Sequence, residues 1–223
     1  MKTKKNIALI SDFDGTISVD DFFWYAIKEY LDENSLQPWN DYLDKKITHF
    51  EALSKIFGQI RAEKEDFDNF IDKFPIEERF VDTLALCSSK GIEFYIVSAG
   101  ADYYIKRILD RIVPENLKYN LIVNKSIYQK ESGLKFIKHS SDYEFYDEKV
   151  GVTKPGVVQA LKDKNYFCIF AGDGRPDFPA AKLADVVFAR KALLELCISE
   201  NLKTEVFDSY QNIYNFVDKL EIE

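Results

Sequence analysis

The chain has 223 residues, 46% of them hydrophobic and 30% charged, with a formal net charge of -8 at pH 7. That balance describes a packed globule rather than a disordered chain, long enough for one domain with a sizeable insertion or for two small ones. The negative charge argues against a nucleic-acid groove or an anionic membrane surface as partner, but it leaves room for an anionic small substrate wherever a bound cation reverses the sign of one pocket.

Lys2, Lys4 and Lys5 open the chain ahead of only four apolar residues, too few for a signal-peptide core. Those four, Ile7 to Ile10, predict a parallel strand covered on both faces, because the run is continuous and β-branched at both ends. The run ends on Asp12, Phe13, Asp14, Gly15 and Thr16. Phe13 is expected on the opposite side of the pleat, so that Asp12 and Asp14 share a face at the carboxyl end of the strand, where open α/β sheets place their ligands. Two carboxylates held close repel, and they need a cation between them or a proton on one. A hard metal such as Mg2+ meets the first need and a general acid the second. Taken alone, Asp-x-Asp-Gly-Thr also reads as a simple turn after a strand.

Residues 17–76 predict helices only. Phe22, Phe23, Ala26, Ile27, Tyr30 and Leu31 recur at helix spacing, and Pro38 suits the first turn of a segment from Trp39 to Ile47. Thr48 to Glu51 has the form of a capping box ahead of the stripe Leu53, Ile56, Phe57 and Ile60, and a further helix from Lys64 to Lys73 stops before Pro75. Beyond this segment, a helix from Glu77 to Lys90 ends at Gly91, and a strand from Ile92 to Val97 closes on Ser98, Ala99 and Gly100 ahead of a helix from Asp102 to Arg111. Leu121 to Val123 and Leu134 to Ile137 flank Glu131, Ser132 and Gly133 as a hairpin, whereas residues 139–150 carry no pattern that assigns them.

Alternation resumes with a helix from Lys154, a strand from Tyr166 to Ala171 and the loop Gly172 to Asp177. A helix to Ala184, a strand from Val186 to Ala189, a helix from Lys191 to Glu200 and a last strand and helix complete the chain. Such alternation implies parallel strands joined by crossovers. The expected fold is α/β: a Rossmann-like parallel sheet core of residues 1–16 and 77–223 with helices on both faces, and a small α-helical cap, residues 17–76, inserted after the first strand. Cys87, Cys168 and Cys197 are odd in number and far apart, as buried thiols in a reducing compartment would be, and no apolar run reaches the ~20 residues of a membrane span. The cytoplasm is the expected compartment.

Four sites fall where strands end or helices begin: Asp12 with Asp14, Ser98, Lys154, and Asp173 with Asp177. Each has a plain explanation: Ser98 as a helix N-cap, Lys154 as a solvated charge, Asp177 as a first-turn acid. Their order and context together resemble the haloacid dehalogenase-like phosphatases. The family's Asp-x-Asp-x-Thr matches Asp12 to Thr16. Its hydroxyl residue at a strand end matches Ser98, its helix-opening lysine matches Lys154, and its Gly-Asp with a second Asp four residues on matches Gly172, Asp173 and Asp177. Ile56 to Gly58, Phe94 to Ser98, Ala180 to Asp185 and Phe188 to Arg190 resemble the family's methionine-salvage branch, which acts on a methylthiopentenyl phosphate; the phosphoserine phosphatases are more distant. That branch carries a cysteine-rich run where this chain has Val150 to Thr153.

The resemblance implies a Mg2+-dependent hydrolase of a small phosphate monoester, with Asp12 as nucleophile and Asp14 as general acid. Mg2+ would be held by Asp12, the Asp14 carbonyl, Asp173 and Asp177, and the phosphate by Ser98, Lys154 and the amides of Phe13, Asp14, Gly15 and Ala99. Substrate choice is expected from the cap, with Asp21 where phosphoserine phosphatases meet the ammonium group, and Phe57 where they carry an arginine for the carboxylate. Phe22, Phe23, Trp24 and Phe57 are candidate walls, and a methylthiopentenyl or sugar-like phosphate is expected over phosphoserine. A phosphomutase, a receiver-like signalling domain and a non-catalytic phosphate-binding module are the alternatives; only the phosphatase would release free phosphate with turnover.

Overall fold

The computed structural model describes residues 6–221; residues 1–5 and 222–223, Lys2, Lys4 and Lys5 among them, lie outside the described residues. At the centre of the fold, β1 (Ile7–Ser11) pairs in parallel with β2 (Glu93–Ala101) on one side and β7 (Phe167–Gly172) on the other. Beyond β2 lies β3 (Asn120–Gln129), and beyond β7 lie β8 (Val186–Ala189) and β9 (Glu205–Val206), all parallel. At one edge β4 (Gly133–Ile137) returns antiparallel along β3, with Gln129 opposite Gly133, as the predicted hairpin. The order of strands reverses direction at β1, so the carboxyl ends of β1, β2 and β7 bound the crevice in which such sheets bind ligands.

Alternation along each strand sends its side chains into two cores. Leu9, Phe94, Ile96, Ile169 and Phe188 join one of them, together with α5 (Phe80–Ser89), α6 (Asp102–Ile112) and α10 (Tyr210–Lys219). Ala8, Ile10, Val97, Cys168, Phe170 and Val187 face α7 (Lys154–Asp163), α8 (Phe178–Ala181) and α9 (Lys191–Ser199) on the other side. The three cysteines are buried free thiols. Among the described residues no helix is long and apolar enough to cross a membrane.

Four helices follow β1: α1 (Phe22–Tyr30), α2 (Gln37–Leu43), α3 (His49–Phe57) and α4 (Lys64–Asp72). The capping box predicted at Thr48 and Glu51 starts α3. Helix α2 ends four residues short of Ile47, close to Lys45 with its left-handed φ of 61°. Helix α5 begins at Phe80 rather than Glu77, because the Glu77 amide is engaged by the Ile17 carbonyl at 3.0 Å. This bond, the Ser18–Ile76 bridge and the Val19 amide on the Pro75 carbonyl at 3.1 Å tie the two ends of the helical segment together. The segment does not rest on the sheet alone. Phe57 stacks on Phe136 of β4 at 5.8 Å and Phe67 on Tyr128 of β3 at 4.4 Å, so the hairpin backs α3 and α4. Residues 139–150, unassigned by pattern, include β5 (Tyr146–Asp147), which pairs with β6 (Gly151–Val152) just ahead of α7.

Candidate active site

Asp12 lies one residue past β1, and the chain then turns: the amides of Ile17 and Ser18 both reach the Phe13 carbonyl at 2.9 Å. The expected pleat therefore does not extend to Asp14. The two carboxylates meet in one cleft because of this turn, while Phe13 is buried in the core on the other side. Gly15 makes the turn possible at φ 70°, and a Cβ there would stand 2.2 Å from Asp173 Oδ2. Its amide donates to the Asp20 carbonyl at 3.0 Å and the Ser18 hydroxyl at 3.1 Å. That corrects the expectation that Gly15 offers a donor to phosphate: the N–H is used within the turn, and the missing side chain is what admits Asp173.

One oxygen each from Asp12, Asp173 and Asp177 lie within 4.8 Å of one another. Lys154, the first residue of α7, reaches into this group, with Nζ 2.7 Å from Asp12 Oδ1 and 2.6 Å from Asp177 Oδ1. It is buried, not a solvated charge, and Asp177 is 1% exposed, not a first-turn surface acid. Burial, then the charge of Asp177, pushes the Asp12 carboxyl well above its ordinary range, with Lys154 opposing. Burial and Asp177 raise Asp173 likewise. Burial works against the Lys154 charge, but Asp12 and Asp177 outweigh it and hold its pKa above the usual lysine value. Asp177 Oδ2 accepts from the amides of Asp173 and Gly174 at 3.1 and 2.9 Å, so both its oxygens are engaged. An all-oxygen set of acids that repel one another suits a hard divalent cation.

Asp14 sits apart from this group. Its Oδ2 accepts from the Tyr104 hydroxyl at 2.6 Å and the Ser98 hydroxyl at 3.3 Å, and its Oδ1 from the Phe22 amide at 3.2 Å. Burial, then the nearby Asp21, pushes its pKa up to about 7, with the Tyr104 hydrogen bond opposing. Ser98 is not a helix cap, since β2 continues through Ala101; its hydroxyl accepts from the Gly100 amide at 2.9 Å. A Cβ on Gly100 would stand 2.0 Å from the Tyr104 hydroxyl, so only glycine lets the phenol reach Asp14. No spacing in the sequence singles out Tyr104, although its position two turns of chain past Ser98, on the buried stripe of α6, is a signal in retrospect.

The cleft, about 540 Å³, collects Asp12, Asp14, Asp21, Ser98, Ala99, Lys154, Asp173 and Asp177. Phe23 and Phe57 also line it, but Phe22 is fully buried, stacked on Tyr104 at 3.9 Å, and Trp24 turns outward to half exposure. Trp39, Tyr42 and His49 take the places expected of those two, and Asp147 and Lys149 from the unassigned stretch join the rim. Asp21 caps α1 through the Phe23 amide at 2.8 Å. Arg190 fixes the turn from behind, donating to the carbonyls of Gly15 at 2.8 Å and Ser18 at 3.2 Å and to Glu77 at 2.7 Å.

A parallel sheet with clustered acids at its switch point defines a phosphoryl-handling α/β enzyme, and the sequence profile of the haloacid dehalogenase-like hydrolases matches residues 9–182. The chain belongs to that family and is an enzyme of its phosphatase class. It is 30% identical over 214 residues to the 2-hydroxy-3-keto-5-methylthiopentenyl-1-phosphate phosphatase of Bacillus velezensis, over 95% of this chain and 90% of that one. The protein of the same name from Geobacillus thermodenitrificans is 27% identical over 221 residues, 98% of this chain and 99% of that one. A solved phosphoserine phosphatase in complex with substrate superposes with a TM-score of 0.68 at 17% identity, covering 96% of this chain and 99% of that one, a likeness of fold.

Proposed function

We propose that the protein hydrolyses a small phosphate monoester with an uncharged organic part, by a Mg2+-dependent route through an aspartyl-phosphate on Asp12. The observation that carries this is the meeting of Asp12, Asp173, Asp177 and Lys154 beside an acid, Asp14, whose pKa of about 7 lets it hold or release a proton near neutrality. Asp12, Asp173 and the Asp14 carbonyl would hold Mg2+, with Asp177 acting directly or, since its oxygens are engaged, through water. In that donor set Mg2+ supplies the positive charge that lets a carboxylate approach a phosphate dianion.

Asp12 Oδ1 is held by Lys154 and the Phe13 amide, which leaves Oδ2 to attack phosphorus in line as the bond to the alcohol oxygen breaks. Asp14 gives its proton to the departing oxygen, then takes one from the water that cleaves the aspartyl-phosphate. Lys154, Ser98 and the Ala99 amide receive the phosphoryl oxygens. Residues 17–76 act as the cap that closes over the organic part and chooses it. Their cleft-lining members are Asp21, Phe23, Trp39, Tyr42, His49, Leu53 and Phe57, with no lysine or arginine among them. A substrate carboxylate there would meet aromatic walls without a partner, at a cost of several kcal/mol. The methylthiopentenyl phosphate named for the relatives carries hydroxyl and keto oxygens and an apolar tail, and is the preferred class; a ketose phosphate is the nearest simple substitute.

Phosphate release from a panel containing the methylthiopentenyl ester, dihydroxyacetone phosphate and phosphoserine, with Mg2+, tests this. The carboxylate-free esters are expected to have the higher kcat/KM. A preference for phosphoserine would reverse the substrate assignment, and no release from any ester would end the phosphatase reading.

A further inference from the structure

His49 opens α3 with its ring edge-on between two aromatic neighbours, Trp39 at 5.9 Å and Tyr42 at 5.2 Å between centroids. It lines the cleft beside Phe23 and Phe57. Its Nδ1 is buried without a hydrogen-bond partner, which leaves Nε2 as the ring nitrogen that meets the cleft. A neutral imidazole carries one donor and one acceptor nitrogen, and which is which follows from the surroundings. A buried N–H without a partner is the costlier orphan, so the hydrogen belongs on Nε2 and the bare lone pair on Nδ1. Burial, then the charge of Lys154, pushes the pKa of His49 down to about 4, and its place at a helix N-terminus also disfavours the cation.

We infer that His49 is a specificity-determining residue, whose Nε2–H donates to a carbonyl or hydroxyl oxygen on the carbon skeleton of the phosphate ester. The inference rests on the phosphatase site proposed above. A neutral donor rewards an uncharged oxygen and gives a carboxylate no counter-charge. Around it Phe23 packs against Trp39 at 4.6 Å and against Phe57 at 5.9 Å, a wall for the apolar part of the same molecule. The ester class is therefore one with an oxygen function near phosphorus and a hydrocarbon or thioether end beyond it.

The test compares kcat/KM for dihydroxyacetone phosphate with that for n-propyl phosphate, in the native protein, His49→Phe and His49→Gln, all with Mg2+. Taking the ratio of the two esters cancels any general damage to the site. In His49→Phe the ratio is expected to fall about 3- to 10-fold, the worth of one neutral hydrogen bond, with the loss in KM. In His49→Gln, whose amide reaches the Nε2 position, most of the native ratio should return. An unchanged ratio in His49→Phe, or a glutamine variant no better than phenylalanine, would overturn the inference while leaving the phosphatase intact. Failure of the native protein to hydrolyse either ester would overturn both.

Discussion

Replacing Tyr104 by phenylalanine removes a single oxygen from the site. The ring keeps its stack on Phe22 at 3.9 Å and 9°, so packing is spared, and Asp14 retains only the longer bonds from Phe22 at 3.2 Å and Ser98 at 3.3 Å. Burial first, and Asp21 second, push the Asp14 carboxyl up, while donation from Tyr104 stabilises the carboxylate and pulls it down to about 7. Without that donor the acid form persists to higher pH. A hydrogen bond to a charged group is worth ~1.5–3 kcal/mol, and at ~1.4 kcal/mol per pH unit its loss moves the midpoint up by about one to two pH units. The first proton transfer survives, since Asp14 enters protonated. The second slows near neutrality, because the carboxylate that activates water is scarcer. In Tyr104→Phe, kcat against pH from about 5 to 9 should show its optimum displaced upward, a lower rate at neutrality and more phosphoenzyme in the steady state. An optimum that stays in place, or moves to lower pH with Tm unchanged, would refute the role given to the phenol.

Asp173→Asn removes one of two mutually raised acids at the cost of an exposed bond to Lys191, so the metal-free protein should gain about 1 kcal/mol, or ~2–4 °C in Tm, while Mg2+-dependent turnover is lost. A lower Tm would show that the cluster is not under repulsion. Stripping divalent ions with a chelator should abolish phosphate release, Mg2+ should restore it, and Ca2+ should inhibit, since its longer and more numerous oxygen contacts spoil in-line geometry; full activity without metal would remove Asp173 and Asp177 from the mechanism. Arg190→Met leaves Glu77 buried and unpaired and frees the Asp12–Ser18 turn, so denaturant unfolding should show a loss of about 3–5 kcal/mol. A loss below ~1 kcal/mol would mean the pair is solvated.

What was legible in the sequence is what a local pattern encodes. The strand before Asp12, the capping box at Thr48 and the hairpin around Gly133 are each specified within a few residues, and their α/β order brings Asp12, Ser98, Lys154 and Asp177 to one sheet edge. Side-chain direction was not legible. Phe22, Phe23 and Trp24 are adjacent on α1, and rotation of that helix by tertiary packing decides that only Phe23 faces the cleft. Tyr104, His49 and Trp39 enter the site from helices whose placement depends on the β3–β4 hairpin, a contact no spacing announces. The Gly15 amide was misread because its partner, the Asp20 carbonyl, is supplied by the turn itself.

The central claim is a covalent bond between Asp12 and the transferred phosphoryl group. Mixing the Mg2+-loaded protein with radiolabelled substrate, quenching in acid within one turnover and reducing with borohydride should convert one aspartate, the one at position 12, to its reduced side chain, and Asp12→Asn should yield no labelled protein and no turnover. Native turnover with no trapped phosphoenzyme, or label mapped to any other residue, would contradict it.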